Sequence, residues 1–251
     1  MYLIIDFKIP GEPGLRGTRD SRALVAKALA GRVQDDDLRG ALMHVDEEGK
    51  SRGSLSPVRF GARAQNVITV SVVGSSACEY FLRNSHRLTL ALCDYFHTSV
   101  EERRHFGATK IEDTGRWFSY HIPAFVWQRG PVISQDLVAA VMANAISDAA
   151  LLEVVEDQLR IGIERQCDLI GVDIPELLML EIKLLSLFPV AVGKGTKRFF
   201  SAAKLDFRSN VHLLGPWHVG RLCGRGYGLI LPSAKKVVVL ATEAGPLKEA
   251  A

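Results

Sequence analysis

Cysteine is scarce: Cys78, Cys93, Cys167 and Cys223 lie far apart, with no Cys-x-x-Cys pair among them. That spacing argues against a zinc site and against a disulfide framework, leaving buried or incidental thiols. No apolar run approaches the about 20 residues that span a bilayer, so no membrane partner is expected. The start, Met-Tyr-Leu-Ile-Ile-Asp-Phe, has no basic region and meets an acid at once. It does not read as a signal peptide, and a cytoplasmic protein is expected. The full Gly-x-x-x-x-Gly-Lys-Ser/Thr and Gly-x-Gly-x-x-Gly patterns are absent, which leaves no support for a Walker or dinucleotide site. Net charge is only +3, so bulk charge is a weak guide to partners. With 47% apolar and 24% charged residues in 251, the composition is that of a globular protein with ample core.

One stretch stands out. From Val211 to Ile230, five glycines (Gly215, Gly220, Gly224, Gly226, Gly228) alternate with Arg221 and Arg225, His212 and His218, Trp217 and Tyr227. Glycine lets the main chain approach a ligand closely, and exposed N–H groups form anion-binding concavities. Arginine adds bidentate phosphate recognition, and Trp or Tyr offers a face for a base. The combination points to a polyanion that carries bases, most simply RNA.

Charge distribution agrees. Lys194, Lys197, Arg198, Lys204, Arg208, Arg221 and Arg225 are accompanied between 194 and 225 by a single acid, Asp206. A second basic block holds Lys8, Arg16, Arg19, Arg22, Lys27, Arg32 and Arg39, while acids concentrate at 35–37, 101–102 and 148–157. Two basic segments distant in the chain can converge on one groove. The bland alternative is scattered, solvated charge.

Residues 2–9 read as a strand ending at Pro10, and Ser21 to Arg32 as a helix with Leu24, Ala28 and Leu29 on one face. A short strand is expected at Ala41 to Val45, turns at Glu47 to Ser56, and a strand at Val67 to Val73. Ser75 to Phe96 reads as a helix broken near Asn84, and Thr109 to Val126 as a strand pair. His97, Glu101, Glu102 and His105 match no metal spacing and read as a polar helix end. This β-α-β-β-α-β order fits a ferredoxin-like fold, so the class is α+β. Leu152, Val155, Leu159 and Ile163 continue a helical stripe from Leu137, within a long helix or hairpin spanning 133–170 that serves packing or projects as a finger. Residues 177–188 and Lys197 to Phe207 flank Gly193-Lys-Gly195 as a β-hairpin with a basic tip. Leu229 to Leu231 and Val237 to Leu240 read as strands.

Gly220-Arg-Leu-Cys-Gly-Arg-Gly-Tyr-Gly228, followed by an apolar strand, resembles the signature loop of the repeat-associated (RAMP) CRISPR proteins. The initial strand, basic loop and helix resemble them too. Within that superfamily the chain is most similar to endoribonucleases that cut precursor CRISPR RNA, and its long helical segment to the finger of the type IV system's processing enzyme. The resemblance implies two ferredoxin-like (RRM-like) domains, 1–110 and 111–251, with a helical insertion at about 132–174 and the Gly-rich loop at 215–228. It implies metal-independent cleavage in which a ribose 2′-OH attacks the adjacent phosphate, with no cofactor. It also implies a crRNA repeat stem-loop as partner, with other CRISPR effector subunits. A non-cutting RAMP subunit that binds crRNA shares the same loop. A nucleotide- or phosphosugar-using enzyme ranks behind both.

Such a reaction needs a proton acceptor, a donor to the leaving oxygen, and positive charge. The family places a His on or just after the first helix, and His44 is the nearest match, a His between apolar neighbours that otherwise reads as structural. Arg22 and Arg39 are the candidates to hold the phosphate, or else to salt-bridge Asp35, Asp36 and Asp37. Arg16, Arg19, His218, Arg221, Arg225 and Tyr227 are the candidate RNA contacts, and Lys194, Lys197, Arg198 and Arg208 fit a hairpin gripping the stem.

Overall fold

The computed structural model describes residues 1–11, 18–46, 48, 50, 55–64, 66–126, 149–191 and 199–233. The chain opens with β1 (Tyr2–Lys8), α1 (Thr18–Ala28), a 3-10 turn (Val33–Asp35) and α2 (Asp36–Met43). Then come β2 (Val58–Ala64), β3 (Val67–Val73), α3 (Ser75–Phe96) and β4 (Glu101–Gly107). These strands form one antiparallel sheet in the order β2-β3-β1-β4. β1 alternates as a half-covered strand must: Leu3, Ile5 and Phe7 are buried, and Ile4, Asp6 and Lys8 face the other way. The buried face packs on Val25 of α1 and Leu29 just after it, Leu38 and Leu42 of α2, and Phe81, Leu88 and Leu92 of α3.

The second half repeats that scheme. β5 (Lys110–Val126), α4 (Ala149–Ile170), β6 (Leu180–Ala191) and β7 (Phe199–Leu214) are followed by β8 (Trp217–His218), a 3-10 turn (Cys223–Arg225) and β9 (Leu229–Pro232). The antiparallel sheet runs β6-β7-β5-β9-β8, so its first four strands reproduce the arrangement of the first sheet. Where the first half carries α3 between its third and fourth strands, the second carries β8 and the Gly-rich turn. α4 turns Val155, Leu159, Ile163 and Cys167 onto Ile122, Leu205 and Phe207, a stripe at four-residue spacing. Gly162 admits the Gly-rich segment against that helix, since a Cβ there would stand 2.8 Å from Val219 Cβ and 3.1 Å from Gly220 N. The described part of the expected 133–170 helix is thus a core element, and 127–148 lie outside the described residues. Among the described residues, no helix is long and apolar enough to cross a membrane.

Several local expectations are corrected. Ala41 to Met43 end α2, because Leu42 follows Leu38 one turn on into the same core. The second strand is β2 instead, masked in the sequence by Arg59 and Gly61. Glu101 to Gly107 form β4, whose alternation is hidden because charges stand on both faces; Glu102 accepts from Ser85 Oγ at 2.8 Å and is held by Arg104. α3 is unbroken at Asn84, whose side-chain amide donates to the Tyr80 carbonyl at 2.8 Å. Thr109 to Val126 supply one long strand, irregular between Asp113 and Phe118, in place of a pair. The β6–β7 hairpin forms as expected, but its 192–198 tip and the strand expected at 237–240 lie outside the described residues.

Candidate nucleic-acid interface

Where the halves join, α1 lies against the Cys223–Arg225 turn and reaches the end of α2 through the Arg22 side chain. The turn is docked on β2, and a Cβ added at Gly224 would lie 3.5 Å from Ser56 Oγ and 3.6 Å from the Val58 carbonyl oxygen. It is bounded by two left-handed residues, Leu222 at φ 61° and Gly226 at φ 85°. Glycine adopts that region freely, whereas a leucine is held there against a cost of order 1–3 kcal/mol. The surrounding contacts therefore fix this turn.

Arg22 projects from α1 toward it. Its Nη2 donates to the Met43 carbonyl at 3.0 Å, and its buried Nε has no hydrogen-bond partner. Burial, and then the charge of Arg225, push the Arg22 guanidinium below its ordinary pKa. One cation from each basic block is thus brought beside the other. Among the described residues, no ion pair involves Arg22, Arg221 or Arg225. Two guanidiniums close enough for one to oppose the other's charge, with no ion pair to either among the described residues, form a site that an anion relieves, since each gains an opposite charge and forked hydrogen bonds.

His44 follows the carbonyl that Arg22 engages. It is half-buried and lies at φ 52°, closing α2 with its N–H on the Ala41 and Gly40 carbonyls. It therefore stands at a helix end beside Arg22 and not on a strand. Arg39 is held apart from this group, exposed and paired with Asp36 at 3.2 Å. The acids that could have neutralised Arg22 are engaged elsewhere. Asp35 binds Arg32 at 2.7 Å and Arg87 at 2.8 Å, and Asp37 binds Arg87 at 2.7 Å and the Tyr80 hydroxyl at 2.8 Å. Arg87 and Tyr80 hold the Asp37 carboxyl well below the usual carboxylate range.

The remaining candidates divide. Arg221 is exposed and Arg225 half-buried on the turn, while Tyr227 packs beside Val126 and Val190. His218 is corrected: it is buried, because β8 pairs with β9 through His218 and Leu229 and turns the ring inward. Its imidazole is held neutral by burial and by the charge of Arg59. Trp217 is equally internal, its Nε1 donating to the Leu214 carbonyl at 3.0 Å, and His212 stacks on Phe118 with ring centroids 4.4 Å apart. Arg208 lies on the face of the second sheet that α4 does not cover, 5.2 Å from the Trp117 ring centroid and 3.8 Å from Glu181. Arg19 falls in the first turn of α1 with its side chain outside the description, and Arg16, Lys194, Lys197 and Arg198 lie outside the described residues.

Sequence reasoning missed Arg59 and Gln166, which lie inside the fold beneath the turn. The available signal was slight: a lone cation between Val58 and Phe60.

A family model described as type IV CRISPR-associated endonuclease Csf5 matches residues 2–235. Among solved structures, the chain is similar to one described as Csf5, the CRISPR-Cas type IV Cas6 crRNA endonuclease. That match has a TM-score of 0.59 and 15% identity, and covers 92% of this chain and 99% of that one. A Cas6b crystal structure gives a TM-score of 0.60 at 16% identity, covering 93% and 100%. A second Cas6b structure, described as a CRISPR RNA processing endoribonuclease, gives 0.52 at 16% identity, covering 93% and 100%. The likeness to these structures is one of fold. No curated protein matches.

Proposed function

The chain belongs to the type IV CRISPR-associated endonuclease Csf5 family, and from that premise we propose that it cuts precursor CRISPR RNA within its repeats. The observation that carries this reading is the nearness of Arg22 to Arg225 beside the Met43–His44 peptide, two cations from opposite ends of the chain with no ion pair to either among the described residues. A phosphodiester seated there receives positive charge from both sides. The ribose 2′-OH attacks the adjacent phosphorus, the bond to the 5′ oxygen breaks, and the products carry a 2′,3′-cyclic phosphate and a 5′-OH. Arginine, with a pKa above about 12, stabilises the phosphorane and holds the attack in line without accepting the proton. His44 is the group placed to move protons. No metal enters this scheme.

We read the two repeated units as ferredoxin-like domains, 1–110 and 111–251, with RNA crossing where the Gly-rich turn of the second meets the first helix of the other. Arg221 extends the phosphate track, Arg16 and Arg19 continue it on the first domain, and Arg39 approaches it when Asp36 releases it. Lys194, Lys197, Arg198 and Arg208 grip the repeat stem through its backbone. Turnover is slow, the mature guide stays bound in the cytoplasm, and the protein then serves as a subunit of an effector complex.

The test is incubation of the protein with its repeat RNA in EDTA. A single cut leaving a cyclic phosphate, abolished by one 2′-deoxy substitution before the scissile bond, supports the nuclease. Tight binding with intact RNA supports a non-cutting crRNA subunit instead. Arg225→Ala is expected to weaken binding and to reduce the log–log salt slope by about 0.7, the loss of one single-strand phosphate contact. An unchanged slope removes Arg225 from the phosphate track.

A further inference from the structure

Among the described residues, Arg59 is a buried arginine with two unpartnered nitrogens. It lies on β2 between the core residues Val58 and Phe60, projects from the opposite face of the sheet, and is 1% exposed. Its Nη2 donates to Gln166 Oε1 at 3.4 Å, while Nε and Nη1 have no hydrogen-bond partner. No carboxylate faces it among the described residues. The titratable groups whose charge bears on it are His218, whose Nδ1 also lacks a partner, and Cys223.

A core assembled for stability alone replaces such a cation with an apolar side chain, because an unpaired buried charge is costly. What Arg59 gains is a junction. Gln166 on α4 accepts the His218 N–H at 2.7 Å and donates to the Pro216 carbonyl at 2.9 Å, so Arg59 and Gln166 together tie β2 and α4 to β8. Cys223, which opens the 3-10 turn, is buried within reach of the same charge, and its thiol donates to the Val219 and Gly220 carbonyls at 3.4 and 3.2 Å. Gly224 then rests on Ser56 and Val58. The turn is thus registered on β2 over consecutive contacts, and Arg225 follows as its last residue.

We infer that Arg59 is a positioning residue: through Cys223 and Gln166 it sets where the Gly-rich turn presents Arg225 against Arg22. This rests on the nuclease reading above. A displacement of about 1 Å at a reacting phosphate can cost about 10²-fold in rate, so a clamp two residues from Arg225 acts on catalysis without touching RNA.

The experiment is a double-mutant cycle on the full chain, reading the single-turnover rate at saturating repeat RNA. Arg59→Met fills the same arm volume without charge. It is expected to slow cleavage by about 10- to 100-fold while RNA affinity holds, and to have no further effect in an Arg225→Ala background. An unchanged rate in Arg59→Met overturns the inference. So does an equal loss in both backgrounds, which is what general loosening of the fold produces. If Arg59→Met does not fold, Gln166→Met opens the same clamp from α4 and is read by the same cycle with the same criteria. An unmodified chain that binds repeat RNA without cutting it overturns the nuclease reading and the inference together, whereas a cutting chain with an additive cycle overturns only the role of Arg59.

Discussion

Gly228→Ala is expected to cost more than about 4 kcal/mol of folding free energy, enough to unfold a protein of ordinary stability. A Cβ at Gly228 would stand 1.8 Å from the Val219 carbonyl oxygen and 2.9 Å from its carbon. Neither atom has room to retreat. Val219 is fully buried, its N–H donates to the Gly228 carbonyl at 2.9 Å, and the Gly228 N–H donates to Ala124 at 2.8 Å. Gly228 also holds φ +74°, where an L-residue carries a further penalty of roughly 1–2 kcal/mol. Gly31→Ala supplies the reference. Gly31 has φ +78° with nothing within 4 Å of the added carbon, so that variant meets the backbone penalty alone. Urea titration of both proteins checks this; a Gly228→Ala midpoint equal to that of Gly31→Ala would mean that the two chain segments do not cross here.

That crossing bears on what glycines in a sequence can say. Five glycines among arginines and aromatics read as an open loop wrapped around a ligand. In the folded chain, Gly220 and Gly228 instead let Val219, Val126 and Phe125 come together, so they serve the protein's own packing. Only Gly224 and Gly226 belong to the turn that carries Arg225. Spacing is the same in both cases, because each needs a missing Cβ and the sequence does not name the neighbour. His218 and Trp217 were misplaced for a related reason: a two-residue strand has no periodicity to detect, and its pairing with Ile230 and Leu229 decides which side chains are buried. Where a pattern was long enough, it was legible. Val67 to Val73 forms the strand expected of it, and the α4 stripe from Val155 to Ile163 faces the core at the expected spacing. The convergence of two basic blocks was legible as charge, and Arg22 and Arg225 realise it. Arg39 was indistinguishable from Arg22 in sequence, and the difference lies in Asp36, three residues before it on the same helix.

Arg22→Ala is expected to lower the single-turnover cleavage rate by about 10²- to 10³-fold, the loss typical when one preorganised donor to a developing anion is removed. The reasoning starts from what Arg22 lacks. Its guanidinium is half-buried, is tied to one carbonyl, keeps Nε without a partner, and feels the charge of Arg225, so its environment opposes the charge that it bears. A phosphorane gathers negative charge as it forms, and the attraction is greatest at the moment of reaction rather than in the bound ground state. Rate should therefore fall further than affinity, and Arg22→Lys should recover little, because an ammonium cannot donate to the Met43 carbonyl and fork onto a phosphate together. His44→Ala, measured beside it, is expected to slow cleavage by about 10²-fold and to flatten the pH–rate profile near neutrality. A His44→Ala protein that retains both rate and profile assigns proton transfer to solvent and the catalysis to the arginines. An Arg22→Ala protein that cuts at the unmodified rate removes the arginine pair from the reaction, and with it the reason for bringing the two ends of this chain together.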